Sequence, residues 1–212
     1  MSKVTNVGLH LTESASAVSD TAGEGQIWVK SDTSSQSGCS LYYTSDIGIE
    51  NRVSGITLCS SFDTSSGASS YTLTGIPAGV KRICVSSKAV SLSGVDEPTI
   101  QLGTGGSPTV SGYLSGMGFI SGNTGYTAQN TNGFVFFNDA ASLVNDGVMV
   151  ITLENASTNS WCAMSTCGAQ STTVAGFSFG SVALSGTMDN LRLISAGGSQ
   201  TFDAGSMSVM FE

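Results

Sequence analysis

Charged residues are scarce in this 212-residue chain. Lys, Arg, Asp and Glu make up 10% of it, against the roughly 25% of an ordinary soluble domain. The 15 acidic and 7 basic residues leave a net charge of −8, which repels phosphate backbones and anionic lipid surfaces. Lys81 and Arg82 are the only adjacent basic pair, too small a cluster for a nucleic-acid patch. We therefore expect neither a nucleic-acid nor a membrane partner.

Histidine is almost absent, since His10 is the only one. A Ser-His-Asp triad needs a base beside its nucleophile, and His10 lies in a polar N-terminal segment. Glycoside hydrolysis needs two facing carboxylates. Carboxylates on predicted loops occur in no recognisable pattern, and turn residues that bond their own backbone are the simpler interpretation: Asp96, Glu97, Asp139, Asp146 and Glu154. We predict that the protein is not an enzyme and has no catalytic residues.

The five cysteines form no recognisable framework. Their odd number and irregular spacing disfavour a disulfide scaffold, although Cys162 and Cys167 are near enough in sequence to bridge a hairpin. Two small buried thiols are the favoured interpretation of that pair. Neither a CxxC pair nor a DxDxDG run occurs, so we predict no metal site and no cofactor. The N-terminal residues lack the apolar core of a secretory signal, which favours folding in a reducing cytoplasm.

Ser, Thr, Val and Gly dominate what is present. Strong helix formers are sparse, while 27 glycines and only 3 prolines accompany a hydrophobic content of 40%. β-Branched and small residues suit a pleated sheet better than a helix. Short apolar segments separated by Gly, Ser, Asn and Asp predict strands near residues 56–62, 70–73, 80–86, 99–102, 112–120, 133–137, 148–153, 160–165, 178–184, 190–194 and 206–211.

This pattern predicts an all-β protein. We expect residues 55–212 to form an antiparallel β-sandwich of jelly-roll type, because many short strands recur at close spacing without a longer repeat. The segments 133–137 and 148–153 are apolar enough to be buried on both faces. In residues 206–211, Met207, Val209 and Phe211 alternate with less apolar neighbours and should point into the core.

Residues 1–54 are predicted to form an extended arm followed by a β-hairpin. Residues 25–30 and 41–44 supply the two strands, and a Ser-rich segment joins them. A lone hairpin is marginal in water, so it needs a packing partner. We therefore assign the hairpin to an interface, through a set of apolar and aromatic residues: Ile27, Trp28, Val29, Leu41, Tyr42 and Tyr43.

Two further groupings have competing interpretations. Trp28 and Trp161 with Tyr113 and Tyr126 are candidates for a sugar-stacking platform, although core or interface anchors are the more common role for such residues. Asp189 and Arg192 are candidates for a structural ion pair at the start of a strand.

Six short segments form a further pattern: GQIWVKSD and LYYTSD in the hairpin, then LTGIPAGVKRI, IQLG, SGTMDNLRL and the terminal TFDAGSMSVMFE. These segments resemble parts of tailed-bacteriophage virion proteins, namely head-decoration and head- or tail-fibre proteins of aquatic phages. The resemblance implies a homotrimeric virion component, assembled in the cytoplasm of the host bacterium. A capsid decoration or head-fibre protein would dock on the major capsid protein, or on tail or portal proteins, through its N-terminal segment. The alternative is a tail fibre or receptor-binding module that recognises host glycans through residues 111–180.

Overall fold

The computed structural model describes residues 26–32, 38–44, 50–52, 57–58, 61–136, 140–170 and 172–212. The chain divides into two compact units, residues 1–55 and 56–212, one residue from the division expected after residue 54. Within the described ranges the chain is all-β and every strand pairing is antiparallel. No helix in these ranges is long and apolar enough to cross a membrane.

The first unit contains a small sheet. In its described part, β1 (Gln26–Asp32), β2 (Gly38–Thr44) and β3 (Glu50–Arg52) pair in the order β1-β2-β3. The strands β1 and β2 lie where the sequence predicted a hairpin. β3 was missed, because its sequence ENR contains no β-branched or aromatic residue. The extended arm predicted for residues 1–24 lies outside the described residues.

The second unit supplies the remaining strands. They are β4 (Thr57–Leu58), β5 (Phe62–Asp63), β6 (Ser70–Thr74), β7 (Arg82–Leu92), β8 (Pro98–Thr104), β9 (Ser107–Pro108), β10 (Leu114–Ser121), β11 (Thr124–Asn130), β12 (Phe134–Val135), β13 (Asn145–Asn155), β14 (Ser160–Ala169), β15 (Ala175–Ala183), β16 (Met188–Ser195) and β17 (Phe202–Phe211).

These strands form two sheets with a shared core. As far as the chain is described, the larger sheet runs β11-β10-β15-β14-β13-β7-β17-β4, with β5 also pairing with β17. The smaller sheet runs β12-β8-β16-β6, with β9 beside β8. One cluster of buried side chains contains Val85 and Ile151 from the larger sheet and Ile100 and Leu193 from the smaller one. Sheet-on-sheet packing of this kind is a β-sandwich.

The alternation predicted at the C-terminus is confirmed. Met207, Val209 and Phe211 are all buried in the core. The same period-2 burial runs along β14, where Trp161 and Ala163 point into the core and Cys162 and Met164 point out.

Other strand predictions are wrong in detail. The single strand expected at 56–62 is the two short strands β4 and β5. β11 was not predicted, because its residues are all exposed or nearly so and carry no apolar alternation. In β13, Val148 is 42% exposed, so the segment 148–153 is not buried on both faces. The smaller sheet does not cover the outer side of β13, which explains the difference.

A bulge brings β7 and β17 unusually close. Ala89 has a φ of 54°, and its N–H donates to the Asp146 carboxylate at 2.7 Å. Opposite it, Gly205 has a φ of 85°, and a Cβ there would collide with the Ala89 carbonyl oxygen. Only glycine satisfies both conditions at position 205.

Candidate interaction surface

The outer face of the larger sheet, which points away from the smaller sheet, exposes several large apolar side chains. We call six of them the apolar face: Leu114 (76% exposed), Ile120 (55%), Val148 (42%), Met164 (64%), Phe177 (53%) and Phe179 (59%). They lie on the neighbouring strands β10, β15, β14 and β13. A contiguous apolar patch of this kind marks an interaction surface more often than a single exposed side chain does.

Strand register aligns these residues into rows. Phe179 lies opposite Met164, and Met164 lies opposite Val150. The row continues through Cys84 of β7 to Met210 of β17. Directly opposed side chains on one face of a sheet are close enough to pack together. The row therefore forms a continuous apolar strip across five strands of the described sheet.

On β14 and β15 the burial of large and small side chains is inverted. Phe177 and Met164 are exposed, whereas their neighbours Ser178 and Ser165 are buried. The two serine hydroxyls satisfy each other through a hydrogen bond of 2.7 Å. Because a folded chain gains free energy by burying large apolar groups, two strands that bury serine and expose Phe and Met are unusual in isolation.

Glycines shape the surface beside the two phenylalanines. Gly116 lies opposite Phe179 and Gly118 opposite Phe177. The Phe177 ring leans over β10, with its Cζ only 2.8 Å from where a Cβ of Gly118 would be. This cross-strand covering of glycine by an aromatic ring is a known sheet-stabilising pairing. The missing side chains leave a hollow of about 850 Å³, bordered by both rings and by Thr127 and Gln129 of β11.

A second, smaller hollow lies on β7, β13 and β17. Its volume is about 200 Å³, and its lining includes Cys84, Val150 and Met210. Arg82 and Glu212 close one end of it and form an ion pair of 2.6 Å. An exposed pair like this contributes little stability, but it leaves no net charge at that border.

Charge is otherwise absent from the centre of this face. The rows through Phe179 and Phe177 contain no Asp, Glu, Lys or Arg among the described positions from β11 to β17. Asp146 lies one row beyond Val148, and its carboxylate is held by the Ala89 N–H and the Gln170 amide. The surface therefore offers apolar contact with almost no electrostatic selectivity.

The predicted hairpin interface falls on β1 and β2. Ile27 is directly opposite Tyr43, and both are exposed, by 59% and 40%. The register also places Trp28 opposite Tyr42 and Val29 opposite Leu41. The assignment of these six residues to an interface stays a prediction.

Of the two roles considered for Trp161 and Tyr113, the structure confirms the more common one of core anchors and excludes a sugar-stacking platform formed by those two residues. Both are buried, Trp161 by 98% and Tyr113 by 99%, within the core of the sandwich. Tyr126 is 48% exposed and stacks on Phe119, with ring centroids 4.7 Å apart. Its ring partner is therefore Phe119, which is buried in the core, and not one of the residues proposed from sequence.

Two candidate side-chain pairs do not form. Cys162 is exposed and Cys167 is buried, because residues five apart on a strand point to opposite faces, so the two thiols do not bridge. The favoured interpretation of two buried thiols therefore holds for Cys167 alone. Asp189 accepts hydrogen bonds from the Gly106 N–H and the Asn190 amide, whereas Arg192 donates to Gln101 Oε1 at 2.6 and 2.8 Å. Each of the two charged groups thus stabilises a different loop or strand contact.

The candidate carboxylates act locally in the described part of the chain. Asp96 accepts the backbone N–H groups of Glu97 and Gly197, and hydrogen bonds from Ser65 lower the pKa of Asp63. Burial, together with the neighbouring Asp96, raises the pKa of Glu97. Asp139 lies outside the described residues. No group of three potential metal ligands occurs where the structure is described.

Sequence reasoning missed the apolar face. Phe177 and Phe179 alternate with small residues, which is a strand signal, but alternation alone places the large residues inside. The one available clue was that residues 175–183 interleave Phe with Gly and Ser on both sides. No protein-family model, curated protein or solved structure matches this chain.

Proposed function

We propose that this protein is a structural component of a bacteriophage virion, most specifically a capsid decoration or head-fibre protein. The observation that carries the proposal is the uncharged apolar face on a β-sandwich that has little surface charge of its own. A surface of this kind supports a role in assembly, because it gains free energy only when another surface covers it. The resemblance of short sequence segments to parts of phage virion proteins supports the same role.

We further propose that the sandwich is a jelly roll, and the strand order supports this. In one sheet the neighbouring strands lie in the spatial order β5-β17-β7-β13, and in the other they lie in the order β6-β16-β8-β12. In chain order these eight strands pass from one sheet to the other at every step except from β8 to β12. Such an order corresponds to two Greek keys. The hairpin β10–β11 and the pair β14–β15 are then insertions that widen the larger sheet.

Docking is assigned to the N-terminal unit. Ile27 and Tyr43 form an exposed cross-strand pair there, which supports the use of β1 and β2 as the contact with the major capsid protein, or with tail or portal proteins. The sandwich would then project from the particle as a homotrimer. The proposal includes no catalytic activity, cofactor or metal.

Copy number in the purified virion tests the location. Quantitative mass spectrometry against the major capsid protein should give a ratio approaching one for a decoration protein. A handful of copies would indicate a tail or vertex fibre, and absence from the particle would refute the virion role. A chain lacking residues 1–54 should stay folded yet fail to bind particles, and decoration by that truncated chain would exclude N-terminal docking.

A receptor-binding module of a tail fibre is the second candidate. The hollow beside Phe177 and Phe179 favours it, since it lies within residues 111–180 and combines two aromatic rings with the polar side chains of Thr127 and Gln129. Neutral sugars bind to such combinations of flat apolar faces and hydrogen-bonding groups. A glycan array should then show saturable binding that Gln129→Ala weakens, and an array without saturable binding would exclude this candidate.

A further inference from the structure

We infer that the apolar face is the surface through which copies of this chain bind one another. The inference deepens the proposed function, on which it rests, by locating the self-association that the virion role requires. The occupant it names is a second copy of the chain, and the contact is made by β10, β15, β14 and β13 of the larger sheet.

The exposed area is sufficient for such a contact. The exposed fractions of the six side chains add up to about three and a half complete side chains. At the ~200 Å² of a large side chain, this is roughly 700 Å² of apolar surface. The largest apolar patch on a typical monomer is about 300–600 Å², whereas one side of a standard protein interface is about 800 Å².

The absence of charge favours a second copy over a different protein. When a face packs against the same face of another copy, a charge near the symmetry axis approaches its own like-charged copy, which is unfavourable in a chain with a net charge of −8. The centre of the apolar face carries no such charge, and the border pair Arg82–Glu212 is neutral as a unit. A surface built for a different partner gains specificity from complementary charges, and none is provided here.

The exposure of large side chains and the burial of serines on β14 and β15 also favour a partner surface that covers this face. Exposing Phe177 and Met164 while burying Ser178 and Ser165 costs stability in an isolated subunit. The arrangement becomes favourable once a partner removes the large side chains from water.

The relief of the surface suits a contact with a second copy. Met164, Phe177 and Phe179 stand between the hollow of about 850 Å³ on one side and that of about 200 Å³ on the other. A ridge flanked by hollows allows the ridge of one copy to enter a hollow of the next. Shape complementarity of this kind is what a well-packed interface requires.

Sedimentation velocity of the full-length chain, from about 1 to about 100 µM, tests the inference. The wild-type protein should sediment as an oligomer. Met164→Lys and Val148→Lys each place a like charge on every copy at the centre of the contact, and each should raise the dissociation constant at least about 10-fold. Val95→Lys and Val110→Lys are matched controls, since both side chains are exposed, by 72% and 55%, but lie outside the apolar face. Circular dichroism would verify that all four variants remain folded.

A wild-type chain that stays monomeric throughout this range would overturn the inference, and so would folded Met164→Lys and Val148→Lys variants that associate as tightly as the controls. Either result would assign the cover of the face to a different partner. Loss of self-association in these variants alone would support it. These outcomes are independent of the virion assay: a monomer found in particles refutes only this inference, and an oligomer absent from particles refutes only the proposed function.

Discussion

Tyr113 provides the sharpest test of how the sandwich is held together. Its hydroxyl accepts the Leu102 N–H at 2.8 Å, and burial raises the pKa of Tyr113 above its usual range. Leu102 lies on β8 between the residues that pair with β12 and the residues that pair with β9. The Tyr113 hydroxyl therefore accepts a backbone N–H at a point where neither strand pairs with β8. Replacement by phenylalanine keeps the ring contact with Phe134, whose centroid is 5.0 Å away. It removes this bond together with the longer one, of 3.3 Å, that the hydroxyl donates to the Leu102 carbonyl oxygen.

We expect Tyr113→Phe to lower the free energy of unfolding by about 1–3 kcal/mol, the cost of leaving a buried N–H without a partner. For a chain of this size each kcal/mol corresponds to about 2–4 °C in Tm. Urea unfolding and calorimetry would measure both. Tyr126→Phe is the matched control, because Tyr126 is 48% exposed, and its effect should stay within about 0.5 kcal/mol. If Tyr113→Phe were as mild as the control, the Leu102 N–H would not depend on this hydroxyl.

Two further predictions concern the bulge between β7 and β17 and the half-buried carboxylate of Glu97. Gly205→Ala should lower the free energy of unfolding in urea by more than about 3 kcal/mol, because strain at positive φ adds to a collision with the Ala89 backbone. The control Gly67→Ala, at a φ of 77° in open space, should lower it by about 1–2 kcal/mol, and equal losses would contradict the collision. The folded state raises the pKa of Glu97 above its ordinary 4.5, so the folded chain binds this proton more tightly than the unfolded chain does. The ionised carboxylate therefore lowers the free energy of unfolding once the pH rises above 4.5. Glu97→Gln should therefore gain stability relative to wild type between pH 4 and pH 7, and a difference independent of pH would exclude the effect.

Sequence reasoning succeeded where local pattern and tertiary environment agree. Met207, Val209 and Phe211 alternate along one strand, and the core of the sandwich receives all three. It failed where the two diverge. β11 has no apolar alternation, because neither of its faces contributes to the core, so its residues give no strand signal.

The sequence by itself determined that the chain is built from short β-strands, since composition and period-2 alternation act locally. Only the tertiary structure decided which face of each strand is inside. Alternation is symmetrical between the two faces, so Phe177 and Phe179 would be placed in the core on hydrophobicity alone. The pairing of β15 with its chain neighbour β14 and with the distant strand β10 instead directs Ser178 inward and both phenylalanines outward. The apolar face therefore depends on a pairing between residues distant in sequence, β10 with β15, about which the local pattern contains no information.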